Sequence, residues 1–187
     1  DNLARYAIWD GLRALDYLAS RSEVDPKHIA CTGNSGGGNL TAYLAALDDR
    51  IQVAAPSCWI NSWRGLLETI GQQDGEQVLV PMLQDGLDHA DFIHAFAPRP
   101  YLILSAIRDF FPIWGVRETY QEALSIYTAL GAAERISKVE VDAGHNYSKP
   151  LRLAAYRWFD RWLKGSEDAV AEQEIPLLSE EKLWCTP

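Results

Sequence analysis

Apolar positions at Ile8, Leu12, Leu15 and Leu18 recur at helical spacing and predict an amphipathic helix over 3–20. Asp25-Pro26 breaks the chain. Residues 28–32, HIACT, form a short, largely apolar run stopped by Gly33, the pattern of a strand buried on both faces. Leu40, Tyr43, Leu44 and Leu47 place a helix over 37–47, and a second strand follows over 51–57, stopped near Pro56. Residues 58–95 lose the period and are rich in Trp, Gly, Gln and Asp; they read as an excursion with short helices. A third strand over 101–105 is entered from Pro98 and Pro100, and a helix over 115–130 ends before Gly131. A fourth strand is predicted over 136–141. The helix over 148–163 carries Leu151, Ala155, Trp158, Phe159 and Trp162 on one face and stops at Gly165. The tail, 166–187, is acidic and then apolar, with no period.

Apolar strands alternating with helices predict one α/β domain over 1–187, a parallel sheet with helices on both faces. In such a sheet the chemistry gathers at the carboxyl ends of the strands, here just past 32, 57, 105 and 141. Composition narrows the classes. With 48% apolar residues the chain can build a packed core and is not disordered. A net charge of −9 argues against a nucleic-acid partner, and no run of 18 apolar residues suits a membrane span. Cys31, Cys58 and Cys185 have no CxxC or Cys/His metal spacing, and the first two sit in apolar runs as buried hydrophobes.

Three strand ends carry candidate chemistry. Gly33-Asn34-Ser35-Gly36-Gly37 is a GxSxG pattern between a strand and a helix. A serine there sits on a sharp, strained turn whose neighbours must be small. The helix behind it aims free N–H groups at developing negative charge. Asp109 follows the third strand and His145 the fourth, so the order is Ser, Asp, His. The expected chemistry is attack by Ser35, proton transfer through His145, and orientation of the imidazole by Asp109. The Gly36 N–H is one expected oxyanion donor.

Rivals for these roles read more simply. Asp142 belongs to the turn before His145, Glu118 to a solvated helix face, and His28 to the wrong end of its strand. His89 and His94 are five apart, a spacing that does not put both on one helix face, so no metal is expected. Asp88 and Asp91 cap a helix start. Trp59, Trp63 and Trp114, with Phe110 and Phe111 nearby, are expected to rim the pocket and bind substrate; packing of the excursion is the alternative.

Residues 25–38, DPKHIACTGNSGGG, resemble the elbow of α/β-hydrolases near the acetyl xylan esterases and cephalosporin-C deacetylases. APRPYLILS at 97–105, RDFFP at 108–112 and AGHNY at 143–147 resemble the acid and histidine segments of the same group. The elbow is also similar to prolyl-oligopeptidase-type peptidases and to dienelactone hydrolases, which would carry Cys where this chain has Ser35. The resemblance implies an α/β-hydrolase fold and a serine esterase deacetylating a carbohydrate without a cofactor. It also implies a triad of Ser35, Asp109 and His145 and a secreted or periplasmic setting. A prolyl-oligopeptidase-type peptidase and a non-catalytic fragment binding a partner stay open. Members of this group have strands and an oxyanion loop before the elbow, whereas here one helix precedes it. Those strands and the second oxyanion donor are therefore expected outside this chain. The missing N-terminal segment, or another chain, is expected to cover the sheet edge beside the elbow strand.

Overall fold

The computed structural model describes residues 2–186. Helix α1 (Leu3–Ser20) leads to strand β1 (Ile29–Asn34), helix α2 (Gly36–Leu47) and strand β2 (Ile51–Ser57). The excursion holds two short helices, α3 (Trp63–Leu67) and α4 (His89–Phe96). Strand β3 (Tyr101–Ala106), helix α5 (Ile113–Ala129), strand β4 (Ile136–Val141) and helix α6 (Lys149–Phe159) follow. All four strands are parallel, in the order β1-β2-β3-β4.

The side-chain alternation along β3 explains the layering. Tyr101 and Ile103 point into a core built with Ile8 and Leu15 of α1, Tyr43 of α2, Phe96 of α4 and Tyr127 of α5. Leu102 and Leu104 point to the opposite face and meet Leu151, Ala155 and Trp158 of α6. Successive residues of a strand face opposite ways, so a fully apolar strand requires cover on both sides. The covering is uneven, with α1 to α5 on one face and α6 on the other.

Three boundaries differ from expectation. Strand β1 runs to Asn34 because Gly33 and Asn34 stay in register with Pro56 and Ser57 of β2. The following helix therefore starts at Gly36, immediately after the serine. Helix α6 ends at Phe159 and continues as a wider turn over Asp160–Lys164, closed by a bond from Ser166 N–H to the Asp160 carbonyl at 3.1 Å. The aperiodic tail folds back on α6, where Arg152 Nη2 donates to Glu172 at 2.8 Å.

Among the described residues β1 pairs only with β2, leaving one side of the strand without a neighbour. Helix α1 exposes Tyr6, Trp9 and Tyr17. Unpaired edges and apolar surface of this kind are normally covered in a folded protein.

The excursion is ordered by one buried histidine. Asp88 and Asp91 form a capping box at the start of α4, as their spacing predicts. His89 then enters the core, stacked on Trp59 at 4.3 Å, with Nδ1 accepting from the Asn61 N–H at 3.2 Å. Burial holds its pKa down at about 3, so the folded state keeps the ring neutral. An unfolded histidine titrates near about 6.5. Below that pH the unfolded chain takes up a proton that the folded chain refuses. His89 therefore makes stability fall as pH drops from about 6.5 towards 3, by at most about 1.4 kcal/mol per pH unit. Urea unfolding at a series of pH values checks this, and His89→Gln is expected to flatten the slope in that window.

Candidate active site

Ser35 sits at φ 57°, ψ −119°, outside the regions that L-residues favour. The turn is held open by its surroundings. Ser35 N–H donates to the Ser57 carbonyl at 2.9 Å, and the Ser35 carbonyl accepts from Asn39 N–H at 2.9 Å, inside α2. Strand β1 on one side and helix α2 on the other thus over-determine the strained residue. The hydroxyl makes no cap bond to the helix, which leaves the first-turn N–H groups of Gly36 and Gly37 available.

The glycines around it are not equivalent. A Cβ on Gly33 would lie 2.6 Å from the backbone of Gly37, and one on Gly38 would lie 2.5 Å from the Ser57 carbonyl oxygen. A Cβ on Gly37 meets nothing within 4 Å. The second glycine of the GxSxG pattern is therefore sterically free, and Gly38, outside the pattern, is the constrained one. Gly33→Ala is expected to cost about 1–3 kcal/mol in urea unfolding, as overpacking does. Gly37→Ala should stay within about 0.5 kcal/mol of the parent.

Asp109 and His145 come together because β3 and β4 end level, Ala106 opposite Val141. The two loops beyond are stitched by Ile107 N–H to the Val141 carbonyl (2.8 Å) and Arg108 N–H to the Ala143 carbonyl (3.0 Å). His145 Nδ1 lies 2.9 Å from both carboxylate oxygens of Asp109, whose side chain is only 3% exposed. A carboxylate can only accept, so Nδ1 carries the proton and Nε2 is left with its lone pair. Asp109 also accepts from Phe111 N–H at 3.2 Å, which fixes the carboxylate.

The histidine loop then reaches back across the sheet. Cys58 Sγ at the end of β2 donates to the Asn146 carbonyl at 3.5 Å, and Tyr147 bonds Thr32 of β1 at 2.6 Å. Phe110 packs against the His145 ring at a tilt of 32°, 4.4 Å between centroids, and also walls the cavity that holds Ser35. That cavity has a volume of about 110 Å³ and is lined by Phe110 and Phe111 together with Ile70, Gln72, Gln73, Asp74 and Gln77. Among the described residues no hydrogen bond joins Ser35 Oγ to His145. Such contacts are commonly long in unliganded sites and tighten when substrate binds.

Other candidates fall elsewhere. Asp142 is exposed and paired with Arg108 at 2.9 Å, a turn contact. Glu118 bonds Arg64 at 3.2 Å on the surface, and His28 is exposed beside Asp25. His94 pairs with Asp91 while His89 is in the core, so the two histidines form no common site. Trp59 and Trp63, expected at the rim, are instead buried at 1% and 4% exposure, because the excursion folds inward around His89. Trp114 is half-buried under Arg64 and does not line the serine cavity. The rim aromatic is Phe110. The glutamines gave no periodic or motif signal in the sequence.

Cys58 Sγ lies within 4.8 Å of the reactive atoms of Asp109 and His145. Burial first, and then the charge of Asp109, push its pKa up, so it stays a thiol. Asp109 and His145 direct towards each other atoms that a metal would take, while Cys58 Sγ donates to the Asn146 carbonyl.

The chain is similar to several known proteins. The Bacillus subtilis (strain 168) protein YtaP is 35% identical over 158 residues, 83% of this chain. The chain spans about half the length of that relative, 53%. Among solved structures, Methylesterase BT1017 is 28% identical with a TM-score of 0.68, over 86% of this chain and 36% of that one. A carbohydrate esterase family 15 glucuronoyl esterase from Caldicellulosiruptor kristjansonii is 20% identical with a TM-score of 0.70, over 90% of this chain and 53% of that one, a likeness of fold. Residues 1–166 match the prolyl oligopeptidase family, so this chain, a parallel-sheet portion of an α/β-hydrolase fold, belongs to that family of hydrolases.

Proposed function

We propose that the chain carries the reactive residues of a serine esterase, with Ser35 as nucleophile, His145 as base and Asp109 as orienting acid, acting on an acetylated carbohydrate of the xylan type. The observation that carries this reading is the strained Ser35 in a cavity walled by Phe110, whose ring packs against a histidine already bonded to a buried aspartate. Ser35 Oγ attacks the acetyl carbonyl while His145 Nε2 takes its proton. The tetrahedral oxyanion meets the Gly36 N–H at the start of α2. His145 then protonates the departing sugar oxygen, and water releases acetate by the reverse sequence. No cofactor enters these steps. The second oxyanion donor comes from polypeptide covering the free edge of β1, supplied by the same protein or by another chain.

Two features favour a small ester over a peptide. The cavity of about 110 Å³ suits an acetyl group, and its glutamine wall suits hydroxyl-rich alcohols. The 28% identity to a methylesterase points the same way. Family membership favours the second reading, a prolyl-oligopeptidase-type peptidase acting through the same acyl-enzyme. A fluorophosphonate is expected to label Ser35, and acetate release from acetylated xylan is expected to exceed cleavage of prolyl peptides. An unlabelled folded protein ends the serine-hydrolase reading, and peptide cleavage alone ends the esterase reading.

A further inference from the structure

We infer that Gln73 is a specificity-determining residue whose side-chain oxygen accepts a hydrogen bond from a sugar hydroxyl next to the ester held at Ser35; this rests on the carbohydrate-ester reading above. Gln73 lines the same cavity as Ser35 yet is only 6% exposed. Its Nε2 donates to the Trp59 carbonyl at 3.3 Å. That bond sets the orientation of the amide, because the reversed amide would bring two oxygens together. Oε1 is then left buried with no partner. Buried amide oxygens are nearly always bonded, and one left open needs a reason.

The surrounding wall is fixed before any substrate arrives. The main-chain carbonyl of Gln77 accepts from Tyr43 OH at 2.6 Å and from Asn39 Nδ2 at 3.3 Å, which ties the excursion to helix α2. Gln77 Nε2 lies 3.7 Å from where a Cβ on Gly36 would be, so this wall stands directly beside the elbow. Of the buried polar atoms without partners, several belong to core tryptophans; among the described residues Gln73 is the one that lines the serine cavity. An unpaired acceptor in the wall beside a reacting ester favours a substrate that brings a donor. It also penalises one that leaves the acceptor unpaired. Acetylated sugars bring such a donor as the hydroxyl vicinal to the acetate.

The test is calorimetric binding to the Ser35→Ala protein, which retains ligand. The probes are a monoacetylated methyl xyloside and its analogue lacking the hydroxyl vicinal to the acetate. Loss of that hydroxyl is expected to weaken binding about tenfold, the effect of one buried hydrogen bond. Gln73→Met on the same background is expected to cost a similar factor, and the two losses should not add. Additive losses, equal binding of both sugars, or no binding of either would overturn the inference. The deoxy comparison needs no change at Gln73, so a poorly folded Gln73→Met leaves the question decidable. Hydroxyl coupling to Gln73 without fluorophosphonate labelling of Ser35 in the parent would sustain the inference and remove the serine-esterase reading. Labelling without coupling would do the opposite.

Discussion

Ser35→Ala is expected to lower kcat on acetylated xylan or a simple acetyl ester by about 10⁴–10⁶-fold, with a melting temperature near that of the parent. The size follows from the role. Without Oγ no acyl-enzyme forms, and direct attack by water keeps only binding and oxyanion stabilisation. The fold should tolerate the change, because Oγ makes no helix-cap bond and the strained backbone is held by main-chain bonds to Ser57 and Asn39. The variant also removes a hydroxyl from a position at φ 57°, where alanine carries the same backbone strain as serine. Steady-state kinetics and a thermal melt on one preparation check both halves. A variant that loses less than about tenfold would show that Ser35 is not the nucleophile.

The second large effect is expected at Asp109. Asp109→Asn should cost about 10⁴-fold in kcat, while Asp142→Asn should stay within about threefold. In the parent both carboxylate oxygens stand 2.9 Å from His145 Nδ1 and require that nitrogen to carry the proton. An asparagine can offer an N–H instead, which favours the tautomer with the proton on Nε2. That tautomer cannot accept from Ser35. Geometry is largely preserved, since the asparagine oxygen can still accept from Phe111 N–H, so the loss comes from protonation rather than collapse. Asp142 is exposed and paired to Arg108, and its neutral variant forfeits a surface ion pair of small value. The comparison of the two kcat values decides the assignment; a large loss at Asp142 with a small one at Asp109 would exchange their roles.

Much of this arrangement was legible along the chain. The period of apolar residues gave all four strands and the long helices because those elements bury regular faces, and periodicity records burial. The elbow was legible because a serine between small residues at a strand-to-helix junction has few alternatives. Asp109 and His145 were legible from their place just past strands, where parallel sheets present loops on one edge. Trp59 and Trp63 were misplaced at the rim. Aromatic residues in an aperiodic segment give no sign of which way the segment folds, and here His89 draws it into the core.

The remaining features depend on residues far apart in sequence. Tyr147 reaches Thr32, Gln77 accepts from Tyr43, and Phe110 joins the histidine to the serine cavity, contacts that no local pattern encodes. The same holds for the glycines: the motif marks Gly33, which is constrained, and Gly37, which is not, while close approach of β2 constrains Gly38 outside it. Local chemistry therefore sufficed for the strands and the strained turn at Ser35, since each follows from steric and hydrophobic demands within a few residues. Which aromatic rims the pocket, which amide lines the serine cavity and which glycine beyond the motif is constrained were settled by packing, because they depend on what the folded chain brings within a few ångströms.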